Sequence, residues 1–163
     1  MLNFFTKTYQ HLIYCGNALK SPILLLCRLC WGWLFMYAGW GKLMQIDNFA
    51  AVLEQMSFPL AHFQAYAVAY TEFIGGLCLL IGLACRLVSI PLIIVMITAY
   101  ITVHYPQAWK FFENSQEFFA QTPFNFLLTA LIMLAFGPGR FSLDYYIEKQ
   151  LFSKAHEIPK HEH

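Results

Sequence analysis

Residues 28–42 read RLCWGWLFMYAGWGK: an apolar, aromatic centre with a fixed cation at each end. A soluble core helix would avoid so much outward aromatic surface. A plain membrane anchor would avoid the arginine. Arg28 lies several residues inside the apolar run 22–44, so reading this stretch means explaining a charge within a membrane span.

The rest of the chain supports the span. Of 163 residues, 59% are hydrophobic and only 12% charged, about half the charged fraction of soluble domains. The missing charge reflects apolar runs at 22–44, 65–85, 87–103 and 124–136. Crossing a bilayer takes roughly 17–25 such residues. The first three runs qualify, and the fourth does so only with its flanks, if Thr122 and Pro123 or Gly137 extend it. The expected fold is all-α, a four-helix transmembrane bundle with short interfacial amphipathic helices.

The organisation expected is an interfacial helix at 1–20, the four-span domain at 21–146, and an amphipathic end with a disordered tail at 147–163. In the first segment Leu2, Phe5, Tyr9, Leu12 and Leu19 recur at helical spacing, with Lys7, Gln10 and Asn17 elsewhere, as in a helix lying on a membrane. A cleaved signal peptide does not fit, because the first long apolar run starts near Pro22 and holds Arg28. Lys7, Lys20, Arg86, Arg140, Lys149, Lys154 and Lys160 fall on one side of an even-numbered bundle. Lys42 and Lys110 fall on the other, with Asp47, Glu54, Glu113 and Glu117. The asymmetry places both termini in the cytoplasm.

Between the first two spans, 46–59 reads as a short helix with Asp47 as cap and Pro59 after its end. The stretch 105–123 holds Tyr105, Trp109, Phe111, Phe112, Phe118 and Phe119 and reads as an aromatic belt, with a ligand-stacking lid as the alternative. GPGR at 137–140 makes a turn, and Ser142 is a candidate cap for the helix that follows. The histidine-bearing end, HEIPKHEH, reads as a solvated tail rather than a metal site, and His104 as interfacial. Of the five cysteines, Cys27 and Cys30 are near neighbours on one helix side. A thiol in an apolar setting is inert, so apolar filling is preferred to a redox pair. A net charge of +1 with no basic stripe excludes nucleic acid.

Arg28, Gly32, Phe35, Gly39 and Lys42 are spaced 4, 3, 4 and 3, one continuous helix face. Glu72, Gly76, Leu79, Leu83 and Arg86 repeat that spacing, with Gly75 and Gly82 beside them. Two glycine-bearing faces that each hold charge should pack together. Taking span ends at the limits of the runs, Arg28 and Glu72 differ in height by about 8 Å, within reach of a guanidinium arm. They are the expected intramembrane pair, as a structural or a functional unit. Lys42 is the competing partner for Glu72.

These motifs, R-x3-G-x2-F-x3-G-x2-K at 28–42, E-x2-G-G-x2-L-x2-G-x3-R at 72–86 and GPGRFSLD at 137–144, resemble the DoxX family of small four-helix membrane proteins over residues 21–146. The resemblance implies motif roles for Arg28, Gly32, Gly39, Lys42, Glu72, Gly75, Gly76, Gly82 and Arg86, without a catalytic assignment. It also implies likeness to the small membrane subunit of archaeal thiosulfate:quinone oxidoreductase, to proteins of thiol and oxidative-stress systems, and to members encoded beside enzymes that modify metal-binding peptides. The expected function is a membrane subunit or accessory factor in sulfur, thiol or quinone-linked redox metabolism, not necessarily catalytic itself. The alternatives are a small transporter or export helper, and a structural scaffold. No haem, flavin or iron–sulfur motif is present, so a cofactor would be a lipid-soluble quinone or belong to a partner. Candidate partners are the bilayer, redox or peptide-modifying proteins, and a second copy of the chain.

Overall fold

A computed structural model describes residues 2–103 and 122–156. Its elements are α1 (Leu2–Met44), α2 (Ile46–Gln55), α3 (Ala61–Ile81), α4 (Cys85–Val103), α5 (Thr122–Phe136) and α6 (Leu143–His156), with no strand among the described residues. Three helices are long and apolar enough to cross a membrane: Thr6–Met44 within α1, Ala61–Ile81 and Cys85–Thr102. At 15 residues, α5 spans about 22 Å, short of a hydrocarbon core of roughly 30 Å. The aromatic stretch 105–121, His104 and residues 157–163 lie outside the described residues.

The first helix differs from expectation. Lys20, Ser21 and Pro22 suggest a break, but α1 runs through them without one. The boundary expected after residue 20 therefore lies inside a helix of 43 residues, about 64 Å long. Proline removes one N–H and crowds the preceding turn, and a long apolar helix tolerates it where that turn finds other partners. Likewise the boundary expected after residue 146 falls inside α6.

Leu24 and Phe35 of α1, Leu79 of α3, Cys85, Leu92 and Met96 of α4, and Phe126, Ala130 and Met133 of α5 form one buried core. Phe35 stacks on Phe126 with ring centroids 4.2 Å apart, joining α1 to α5. The outer surface is apolar too: Leu26, Leu29, Trp33, Ile94, Ile97, Ile101, Leu128 and Leu131 are exposed. In water that surface would drive aggregation; in a bilayer it is the lipid contact.

The connections are set by local chemistry. Asp47 does not cap α2: Gln45 occupies that position without a side-chain hydrogen bond. Asp47 lies in the first turn, where its charge favours the helix dipole. Ser142 does cap α6, its Oγ accepting from the Tyr145 N–H at 3.2 Å. The α3–α4 turn is tight. Gly82 closes α3 at φ +76°, and both its own N–H and that of Leu83 donate to the Cys78 carbonyl at 2.9 Å. Only glycine adopts that conformation without a Cβ penalty.

Candidate functional site

The two glycine-bearing faces meet in an antiparallel seam between α1 and α3. A Cβ on Gly39 would lie 2.7 Å from the Ala69 carbonyl oxygen, and one on Gly76 2.7 Å from that of Gly32. The helices therefore approach backbone to backbone, which only glycine permits here. On the adjoining side of α3, Gly75 receives Leu92 of α4, with a Cβ–side-chain approach of 3.0 Å.

This register decides which charges meet. With Gly32 opposite Gly76 and Gly39 opposite Ala69, Arg28 falls level with Leu80, its guanidinium reaching on to Gly82, and Lys42 comes within reach of Glu72. Lys42 Nζ donates to Glu72 Oε2 as an ion pair. The Glu72 side chain is only 2% exposed and that of Lys42 29%. The ammonium also lies 5.4 Å from the centre of the Phe49 ring of α2, so α2 covers one side of the pair. A buried carboxylate must be paired or protonated, and Lys42 offsets its loss of water.

The Arg28–Glu72 pairing expected from sequence is not formed. Gly82, which the guanidinium of Arg28 reaches, is ten positions along the chain from Glu72, about 15 Å of helix. The expected 8 Å took a membrane edge near Ser21 and a span starting at Ala65. Neither is an element end, since α1 passes through 21 and α3 starts at Ala61. The answering face also stops early, because Leu83 lies in the turn and Arg86 in the first turn of α4.

Arg28 is 1% exposed and holds the chain after α5. Nη1 donates to the Pro138 carbonyl at 2.9 Å and Nη2 to that of Phe141 at 2.7 Å. Nε has no hydrogen-bond partner. A Cβ on Gly82 would lie 2.5 Å from Nη1, so Gly82 is also the space the guanidinium occupies. Asp144, the last residue of the 137–144 motif but given no role from sequence, completes the junction. Its two carboxylate oxygens accept from the Ala84 N–H at 2.6 Å and the Cys85 N–H at 3.0 Å. It thereby satisfies the open start of α4 from another helix. Its own N–H donates to the Gly82 carbonyl at 2.9 Å. The available signal was an acid at the start of a helix just after a glycine turn, but its target is about 60 residues away.

The structure thus divides the expected polar site in two. Lys42 and Glu72 form a buried ion pair in the α1–α3 seam. Arg28, Gly82 and the 137–144 segment form a junction tying α1, the α3–α4 turn and α6 together. Arg86 is exposed, its guanidinium beside Gly137, where a Cβ would lie 3.3 Å from Nε. All five cysteines are free, with Cys30 exposed and Cys27 against the core. No group of three metal-ligating side chains occurs among the described residues.

The DoxX family model matches residues 23–105, which include the α1–α3 seam and the ion pair. The chain belongs to the DoxX family. It is 29% identical over 141 residues to an uncharacterized membrane protein of Mycobacterium tuberculosis, covering 82% of this chain and 86% of that one. It is 29% identical over 125 residues to a Bacillus subtilis protein named "Putative oxidoreductase CatD", covering 77% and 87%. An uncharacterized protein of Haemophilus influenzae is 25% identical over 130 residues, covering 77% and 83%. No solved structure matches the chain.

Proposed function

We propose that this DoxX protein is a membrane subunit or accessory factor of redox metabolism, linked to sulfur, thiol or quinone chemistry, and that the Lys42–Glu72 pair is its working site. It sits in the bacterial inner membrane as a four-helix bundle with both termini in the cytoplasm, as the lysine and arginine distribution favours. The observation that carries the reading is the carboxylate of Glu72, buried in an apolar seam and held by a half-buried lysine. Ionisable groups at membrane depth are costly and serve function by default. The name of the Bacillus subtilis relative supports the redox class.

A quinone would need access from lipid. A groove of about 240 Å³ lies between α3 and α4, lined by Tyr70, Thr71, Ile74, Gly75, Val88 and Pro91. Its lining is mainly apolar with two hydroxyl side chains, which suits a quinone ring. Bound there, a quinone would supply two-electron, two-proton chemistry. Glu72 is not part of the lining, so its effect on a quinone there would pass through α3, whose Tyr70, Thr71, Ile74 and Gly75 flank it and line the groove.

The test is co-isolation from native membranes in mild detergent, followed by mass spectrometry of the lipids and proteins retained. The expected result is an isoprenoid quinone or an oxidoreductase polypeptide, retained by the wild type and depleted in Glu72→Gln. Retention of neither by the wild type would overturn the redox assignment.

A further inference from the structure

A second cavity belongs to neither the ion pair nor the groove. It has a volume of about 700 Å³ and lies where α1 passes residues 17–21, α4 begins, α5 ends and α6 begins. Lys20, Arg86 and Arg140 line it, together with Asp144, Glu148 and Phe136.

The charges do not cancel locally. Asp144 directs both carboxylate oxygens at the start of α4. The lining therefore sets three cations against two carboxylates, a net formal charge of +1, with one carboxylate turned to the backbone, and among the described residues none of the three cations is in an ion pair. Lys20 lies 5.4 Å from the centre of the Phe136 ring, and Arg86 rests beside Gly137. The position adds a second constraint. The cavity sits at the ends of the apolar helices, level with the headgroup layer when α3 and α4 span the bilayer. Its rim carries exposed Phe136 and Leu87. Basic pockets at this level attract anionic headgroups, and arginine forks match phosphate oxygens in pairs. A free anion would gain nothing from the apolar rim, whereas the glycerol backbone and upper acyl chain of a lipid would cover it.

We propose that this cavity binds the phosphate headgroup of an anionic phospholipid through Arg86, Arg140 and Lys20, with the acyl chains leaving over Phe136 and Leu87. A lipid bound there would bridge α1, α4, α5 and α6 at the junction that Arg28 and Asp144 hold from inside.

Native mass spectrometry of the full chain, with phosphatidylglycerol and phosphatidylcholine supplied in equal amounts, tests the proposal. The phosphatidylglycerol adduct should predominate. Arg86→Gln and Arg140→Gln should each weaken it about fivefold, and the two together about 25-fold. Lys149→Gln, which removes a cation of α6 outside the cavity, should leave it unchanged. Equal retention of the two lipids by the wild type would overturn the proposal, as would an equal loss from Lys149→Gln. Inorganic phosphate in excess should not displace the lipid; if it does, the cavity reads free phosphate and the lipid assignment fails. The lipid preference and the phosphate arm use the wild-type protein, so they decide the matter even where an arginine variant does not fold.

Discussion

Each buried charge in this protein has a distinct partner type, and the energetics follow from the difference. Glu72 faces a cation that is itself partly exposed. Removing Lys42 strands a carboxylate in low dielectric, a loss of several kcal/mol for fully buried pairs. Because Lys42 can reach toward solvent, about 1–3 kcal/mol is expected here. Arg28 donates to two backbone carbonyls and, among the described residues, forms no ion pair. Truncating it removes two charge-assisted hydrogen bonds and leaves both carbonyls dry, at a cost of about 3 kcal/mol or more. Lysine cannot replace it, since one ammonium does not reproduce the planar fork that spans Pro138 and Phe141. Double-mutant cycles on thermal stability in detergent separate the two sites. Lys42→Met and Glu72→Met should couple by about 1–3 kcal/mol, and the double variant should be more stable than either single one. Arg28→Met and Glu72→Met should add to within about 0.5 kcal/mol. Additivity in the first cycle, or strong coupling in the second, would reverse the pairing.

At the scale of the elements, the α1–α3 seam depends on two glycines with no room beyond the backbone. Gly39→Ala should push the helices apart and cost about 1–3 kcal/mol. Gly41, two residues along the same helix, faces open space: a Cβ there would meet nothing within 4 Å. Gly41→Ala should therefore gain about 0.5–1 kcal/mol from helix propensity alone. Thermal unfolding of the two variants side by side checks this, and equal shifts would contradict the seam. The seam was legible in the sequence because small residues at spacings of four and three leave a helical signature. The partner of Arg28 was not legible, because backbone carbonyls in a turn have no residue identity to read. The continuity of α1 was also hidden. Lys20, Ser21 and Pro22 carry break signals, while the packing of Leu24 below them leaves no local mark. Glu72 was found as a membrane-buried carboxylate from its apolar neighbours, but its choice between Arg28 and Lys42 depended on register. Register follows from where α3 starts, and residues 61–64 lack the apolar signal that would extend the span backward.

For the whole molecule, framework and function fall in different places. The junction of Arg28, Gly82 and Asp144 holds the helices, and the Lys42–Glu72 pair is the proposed working site. A buried ion pair replaced by apolar side chains of similar size is often neutral or stabilising, so fold and function are separable at this site. The most direct test is the Lys42→Met/Glu72→Met double variant in native membranes, measured both for thermal stability and for the quinone or oxidoreductase polypeptide it retains. The expected result is a midpoint at or above that of the wild type together with loss of the retained component. A variant that keeps both its stability and that component would show that the pair only holds the helices, and would contradict the assignment of Lys42 and Glu72 as the working site.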